Sequence, residues 1–139
     1  MSAVELFTKQ CDVASHQLSM CLKGMHETLA DGKSPAHAMS PRETVVHLTE
    51  CYVALQRRLK GEEHEWGSYE SPGGNLVDLV ANMFAVRDKA VAAALAEPSD
   101  ENLLTASDFL TIHDAYHVGQ LASYRMGAEP SWDAYSLYA

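Results

Sequence analysis

Basic residues are scarce in this sequence: ten Lys and Arg stand against nineteen Asp and Glu in 139 residues, a formal net charge of −9. Nucleic acid and anionic lipid are held by clustered Lys and Arg, so this balance argues against both as partners. Cysteine is sparse as well. Cys11, Cys21 and Cys51 are odd in number and show no Cys-x-x-Cys spacing, which argues against a disulfide framework or a thiolate zinc site and fits a reducing cytoplasm. Long hydrophobic runs are missing. The longest small apolar run, Ala90 to Ala96, falls far short of the ~20 residues that cross a bilayer, and MSAVELFTKQ has neither the basic start nor the apolar core of a secretory signal. A soluble, cytoplasmic protein is the expectation. Period-two alternation, internal repeats, low-complexity tracts and linkers are also absent, which leaves a single helical domain over residues 1–139.

What is present is helical periodicity. From Ser2 to about Ala30, the residues Val4, Phe7, Cys11, Ala14, Leu18, Cys21, Met25 and Leu29 step by three and four, which predicts one long amphipathic helix. Cys11 and Cys21 lie on its stripe as small core hydrophobes, while His16 and His26 lie off it and read as solvated. Asp31-Gly32-Lys33-Ser34-Pro35 breaks the helix, and a loop containing His37 runs to Ser40. Ser40-Pro41-Arg42-Glu43 starts a second helix, with Ser at the N-cap, Pro at the first position and Glu placed to close a capping box. Its stripe is Val45, Leu48, Tyr52, Leu55 and Leu59. His47 sits at the stripe's edge beside Cys51 and Ala54, where a side chain turns either to a neighbouring helix or to water; spacing alone reads it as solvated.

Gly61 to Gly74 is a loop in which Trp66 and Tyr69 either roof a pocket or cover the open end of a core, and His64, between Glu63 and Glu65, reads as exposed. Asn75 caps a third helix with the stripe Leu76, Val80, Met83, Val86, Ala90 and Ala93, and its small-residue end allows close helix approach. Pro98 ends it. The fourth helix runs from Ser99 to Gly127, and the tail SWDAYSLYA lies back on the bundle. The expected fold is an all-α four-helix bundle, with loops long enough to allow a crossover connection.

The chemistry concentrates on the fourth helix. Leu103, Ala106, Leu110, His113, His117, Leu121 and Tyr124 share one stripe, so two imidazoles stand one turn apart where a core helix would carry Leu, with Gln120 on the same side. Burying each without a partner costs about 1–3 kcal/mol, and a divalent ion would satisfy both; core histidines bonded to backbone carbonyls are the competing reading. His113-Asp114-x-x-His117 departs from the His-Glu-x-x-His pattern of zinc peptidases. Asp114 is too short for that base, and no downstream Glu ligand follows.

The lone His of ETVVHLTECY in the second helix, HDAYHVGQL in the last, and a closing Trp-Asp-x-Tyr together resemble the DinB-like, or YfiT-like, superfamily of metal-binding bundles over essentially the whole chain. The resemblance implies one divalent ion per chain, bound by His47, His113 and His117 with water completing the shell. It also implies a homodimer, and for some members thiol S-transfer using bacillithiol, mycothiol or glutathione. Three neutral imidazoles leave a fourth position open, where water is acidified or a thiol is held as thiolate. Imidazoles do not select among zinc, nickel and iron. Gln120, Tyr116 and Asp114 on the last helix, and Glu43 or Glu50 on the second, are candidates to hydrogen-bond the ligand rings and fix their tautomers. A non-catalytic metal-binding or stress-response bundle is the alternative.

Overall fold

Each helix begins at a side chain that accepts one of the otherwise unpaired N–H groups of its first turn. In the computed structural model, which describes all 139 residues, Ser2 opens α1 (Ala3–Leu22), Ser40 opens α2 (Pro41–Leu59) and Asn75 opens α3 (Leu76–Ala96). Ser99 opens α4, residues 100–128, which is regular over Asp100–Ser107 and His113–Ala128 and widens into a π turn over Asp108–Ile112. There is no strand, so the all-α bundle expected from periodicity is the fold. No helix is long and apolar enough to cross a membrane.

The second helix does not close its capping box. Ser40 Oγ accepts from Glu43 N at 3.1 Å, but the Glu43 carboxylate turns to Lys33 Nζ at 2.8 Å instead of returning to Ser40. Helix α1 also ends earlier than its periodicity predicts, at Leu22 and not near Ala30. Gly24 takes a left-handed φ of +71°, which glycine alone adopts without strain. Arg125 Nη1 donates to Met20 O at 3.3 Å, Cys21 O at 2.9 Å and Lys23 O at 2.8 Å, so a guanidinium from α4 satisfies the last carbonyls of α1. Met25 is nonetheless buried because the chain folds back onto the core. At the far end, Gly127 lies inside α4, which stops at Ala128.

The core is formed by Leu18, Leu48, Tyr52, Leu55, Leu76, Met83, Leu110 and Leu121, all fully buried. Helix α2 packs along α3, α1 packs along the second half of α4, and the short turn Ala134–Tyr138 lies on α1. The tail therefore docks as expected, with Trp132 and Leu137 against the core and the Arg125 guanidinium 5.0 Å from the Trp132 ring.

Two buried lines differ from the sequence stripes. On α3 the line is Leu76, Leu79, Met83, Arg87, Ala90 and Ala94, with Val80, Val86 and Ala93 only half-buried. On α4 it passes from Leu110 to Asp114, His117, Val118, Leu121, Ala122 and Arg125, leaving His113 and Tyr124 at the edge. The π turn inserts one residue into the helical count, so positions beyond it are displaced from a uniform 3.6-residue stripe.

Arg87 and Asp114 enter the core together. Arg87 Nε donates to Asp114 Oδ2 at 3.0 Å, Tyr52 OH donates to Asp114 Oδ1 at 2.5 Å, and Arg87 Nη2 donates to Cys11 O at 3.0 Å. One network thereby joins all four helices. Burial pushes the Asp114 carboxyl above its ordinary value against the opposing pull of the guanidinium and phenol, and Asp114 in turn raises Arg87 against its own burial. Arg87→Leu, which strands the carboxylate, is expected to lose about 3–5 kcal/mol in urea denaturation followed by circular dichroism. The Arg87→Leu/Asp114→Leu double variant should lose less than Arg87→Leu alone, and Tyr52→Phe about 1.5–3 kcal/mol.

Candidate metal centre

His47 projects from the α2 edge that also carries the buried Cys51 and Ala54, and it turns inward toward α4. His113 and His117 stand one turn apart just beyond the π turn. His47 Nε2 lies 3.2 Å from His113 Nε2, and His117 Nε2 lies 3.0 Å from the same atom. All three nitrogens are within 4.8 Å of one another. The rings meet edge to face, with centroids 5.1, 5.0 and 4.6 Å apart.

This donor set fits a divalent ion. Nitrogens about 2.0–2.1 Å from one tetrahedral ion are about 3.3 Å from each other, close to the two short separations here. A neutral imidazole has a single N–H, and the lone pair of its other nitrogen accepts one well-aligned hydrogen bond. His113 Nε2 faces two nitrogens and can satisfy only one of them well, whereas a cation at the centre takes a lone pair from all three. The rings are also in the ligating protonation state. Burial lowers His47 despite the opposing pull of Glu50; burial and then His47 lower His113; burial, His113 and His47 bring His117 down to about 4.

The cluster opens onto a cavity of 390 Å³ lined by His47, Cys51, Trp66, Asp108, Phe109 and His113. Trp66 stacks on Phe109 at 6.5 Å with an interplanar angle of 7°, so of the two loop aromatics Trp66 is the one that walls this space. Tyr69 instead accepts from Asn82 Nδ2 at 3.0 Å. Cys51 Sγ is 3.7 Å from His47 Nε2, and burial pushes its thiol up to about 12. Cys11 and Cys21, raised by burial to about 11 and 12, are unreactive core residues.

Of the residues expected to support the ligand rings, Asp114, Glu50 and Glu43 are engaged elsewhere, while Tyr116 and Gln120 lie beside His117. Asp114 follows His113 by one residue, so it points about 100° away around the helix and into the Tyr52–Arg87 network. Glu50 accepts from His64 Nε2 at 2.9 Å and Gly67 N at 2.7 Å, and Glu43 is held by Lys33. Tyr116 packs edge-on against the His117 ring at 5.0 Å, and its hydroxyl receives Gln120 Nε2 at 3.1 Å. Gln120 lies beside His117 and favours its charged form, yet the buried His117 Nδ1 has no well-aligned hydrogen-bond partner.

His64 also departs from expectation: its side chain is only 5% exposed, tucked between Glu50 and Trp66. The reason is local, since Glu50 binds both this ring and the following loop N–H. Cys51, Asp108 and Phe109 were not singled out as site residues. Cys51 stands four after His47 and Phe109 four before His113, the spacings that would have marked both as neighbours.

Compared with protein-family models, curated proteins and solved structures, the chain matches none.

His113→Ala and His117→Ala are each expected to weaken zinc binding by more than ~100-fold, since loss of groups that merely orient a ligand already costs 10–100-fold. Isothermal titration and elemental analysis would read this, with helical circular dichroism retained. Unchanged metal content in either variant would remove the centre.

Proposed function

We propose that this chain is a DinB-like metal-dependent protein that activates a low-molecular-weight thiol, or water, for transfer to an electrophile. The observation carrying this reading is the convergence of three neutral imidazole nitrogens, from α2 and α4, beside a 390 Å³ cavity whose wall includes His47 and His113. A purely structural ion would be enclosed by four protein ligands, whereas three ligands beside an open space is the pattern of a reactive site. When bound, zinc, nickel or iron supplies a Lewis acid that holds a thiol as thiolate or acidifies water.

The protein's own residues do the rest. His47, His113 and His117 contribute no negative charge, so the cationic character of the centre is not neutralised by its ligands. Trp66 and Phe109 give the cavity an apolar wall that receives an organic electrophile and displaces water. The net charge of −9 favours small molecules over nucleic acid as substrates.

The homodimer expectation finds support in a strip of exposed apolar side chains along α1 and α4: Leu6, Val13, Leu104 and Ile112, each 49% exposed or more. A second copy meeting this strip would bury it.

Zinc- or nickel-loaded protein, assayed with monochlorobimane and a panel of cellular thiols, is expected to give thioether fluorescence. Chelation and His113→Ala should abolish it. Bound metal with no turnover for any thiol would leave a binding role instead. Light scattering is expected to show a dimer that Leu104→Glu converts to monomer.

A further inference from the structure

The proposed reaction assigns a place to the sulfur of a thiol; the cavity beside the histidines restricts what the rest of that thiol is. Its wall is His47, Cys51, Trp66, Asp108, Phe109 and His113. No Lys or Arg is among them, and Asp108 is the single carboxylate. Arg58 lines a different cavity, of 240 Å³, which shares with this one only Trp66 and Phe109. None of the protein's ion pairs uses Asp108, so its charge is free to act on whatever enters.

The π turn brings Asp108 to this wall. Residues five apart stand about 140° from each other on an α-helix, which would put Asp108 and His113 on different faces. A π turn closes its hydrogen bonds five residues apart and takes more residues per revolution, so it swings the two toward one side. Asp108 is the first residue of the turn and His113 the first one after it, and both line the cavity. Asp108 is not one of the three residues whose donor atoms converge, which leaves its carboxylate for a molecule sharing the cavity.

The rest of the wall suits a cation. Trp66 is 57% exposed and stacks nearly parallel to Phe109, so aromatic surface borders the same space as the carboxylate. An ammonium is attracted to the face of an aromatic ring and donates charge-assisted hydrogen bonds to a carboxylate. An anionic substituent meets the opposite, repulsion from Asp108 with no Lys or Arg in the wall to receive it. A volume of 390 Å³ lies at the small end of ligand pockets, which keeps the molecule short. The net charge of −9 adds an attraction of the same sign.

We propose that the thiol taken by this site is a small aminothiol, its sulfur at the three-histidine centre and its ammonium held by Asp108 beside Trp66. The assignment rests on the thiol-activation reading. Asp108 is a binding residue that selects by charge at the end of the thiol that does not react.

Cobalt(II)-loaded protein reports thiol binding without turnover, because a sulfur ligand adds a charge-transfer band in the near ultraviolet. Cysteamine, 2-mercaptoethanol and 3-mercaptopropionate present cationic, neutral and anionic ends of similar size, and each titration is read as the rise over the thiol-free spectrum. The three thiols differ in acidity and chelating power, so each is compared with itself, wild type against Asp108→Asn. The substitution is expected to weaken cysteamine about 3–10-fold, leave 2-mercaptoethanol unchanged and strengthen 3-mercaptopropionate, with the differences shrinking at high salt. In the monochlorobimane assay it should raise KM for cysteamine by a similar factor with kcat little changed.

An equal effect on all three thiols, or none, overturns the aminothiol assignment and leaves the thiol reading standing. No band with any thiol, in protein whose visible spectrum shows cobalt bound, refutes the thiol reading and the aminothiol assignment with it.

Discussion

The buried carboxylate of Asp114 is the constraint on which the rest of the bundle depends. Isolated in the core, that charge would be untenable; it persists because Arg87 from α3 and Tyr52 from α2 both donate to it, and Arg87 reaches on to the α1 backbone at Cys11. Four helices packed through Leu, Met and Ala alone could slide or rotate at little cost. A directional network cannot. Asp114 lies between His113 and His117 in sequence, so fixing its direction also fixes the two rings on the adjacent face of α4. Tyr52 stands five residues beyond His47 and ties α2 to the same point. The arrangement of the three histidines thus follows from a core interaction that touches none of them.

The same logic explains what was legible in the sequence. Helix existence, the N-caps Ser40, Asn75 and Ser99 and the cores of α1 and α2 follow from periodicity and capping chemistry, which are local. His113 and His117 were readable because i, i+4 spacing forces two side chains together on any helix. His47 was not. Its edge position allowed two directions, and only the packing of α2 against its neighbours chooses between them. Arg87 was invisible for a related reason, and Asp114 was assigned to the ligand rings and not to the core: neither charge can be placed until its partner on another helix is known. The early end of α1 was hidden because Met25 returns to the core at a helical interval by way of a turn.

Loop residues were the hardest to place. Glu63-His64-Glu65 has the composition of a solvated segment, yet Glu50 draws the His64 ring inward and Trp66 covers it. A carboxylate fourteen residues away on α2 decides this, and no local pattern announces it. Trp66 similarly gains its meaning only when Phe109 on α4 stacks beneath it. The apolar wall of the cavity is therefore made by two elements that have no relation in sequence.

The π turn at Asp108–Ile112 gives α4 two independent angular settings within one continuous rod. Before the turn, Leu103 and Ala106 face the core; after it, Asp114 and Arg125 do. One residue advances a helix by about 100°, so the turn acts as a phase offset between the half carrying Leu103 and Ala106 and the half carrying His113 and His117. Shortening it by a single residue would leave every side chain chemically intact, yet rotate the distal half against the other three helices. The carboxylate, the two imidazoles and the guanidinium that caps α1 would all lose alignment at once, so this one irregularity sets a common angular reference for core, centre and helix end.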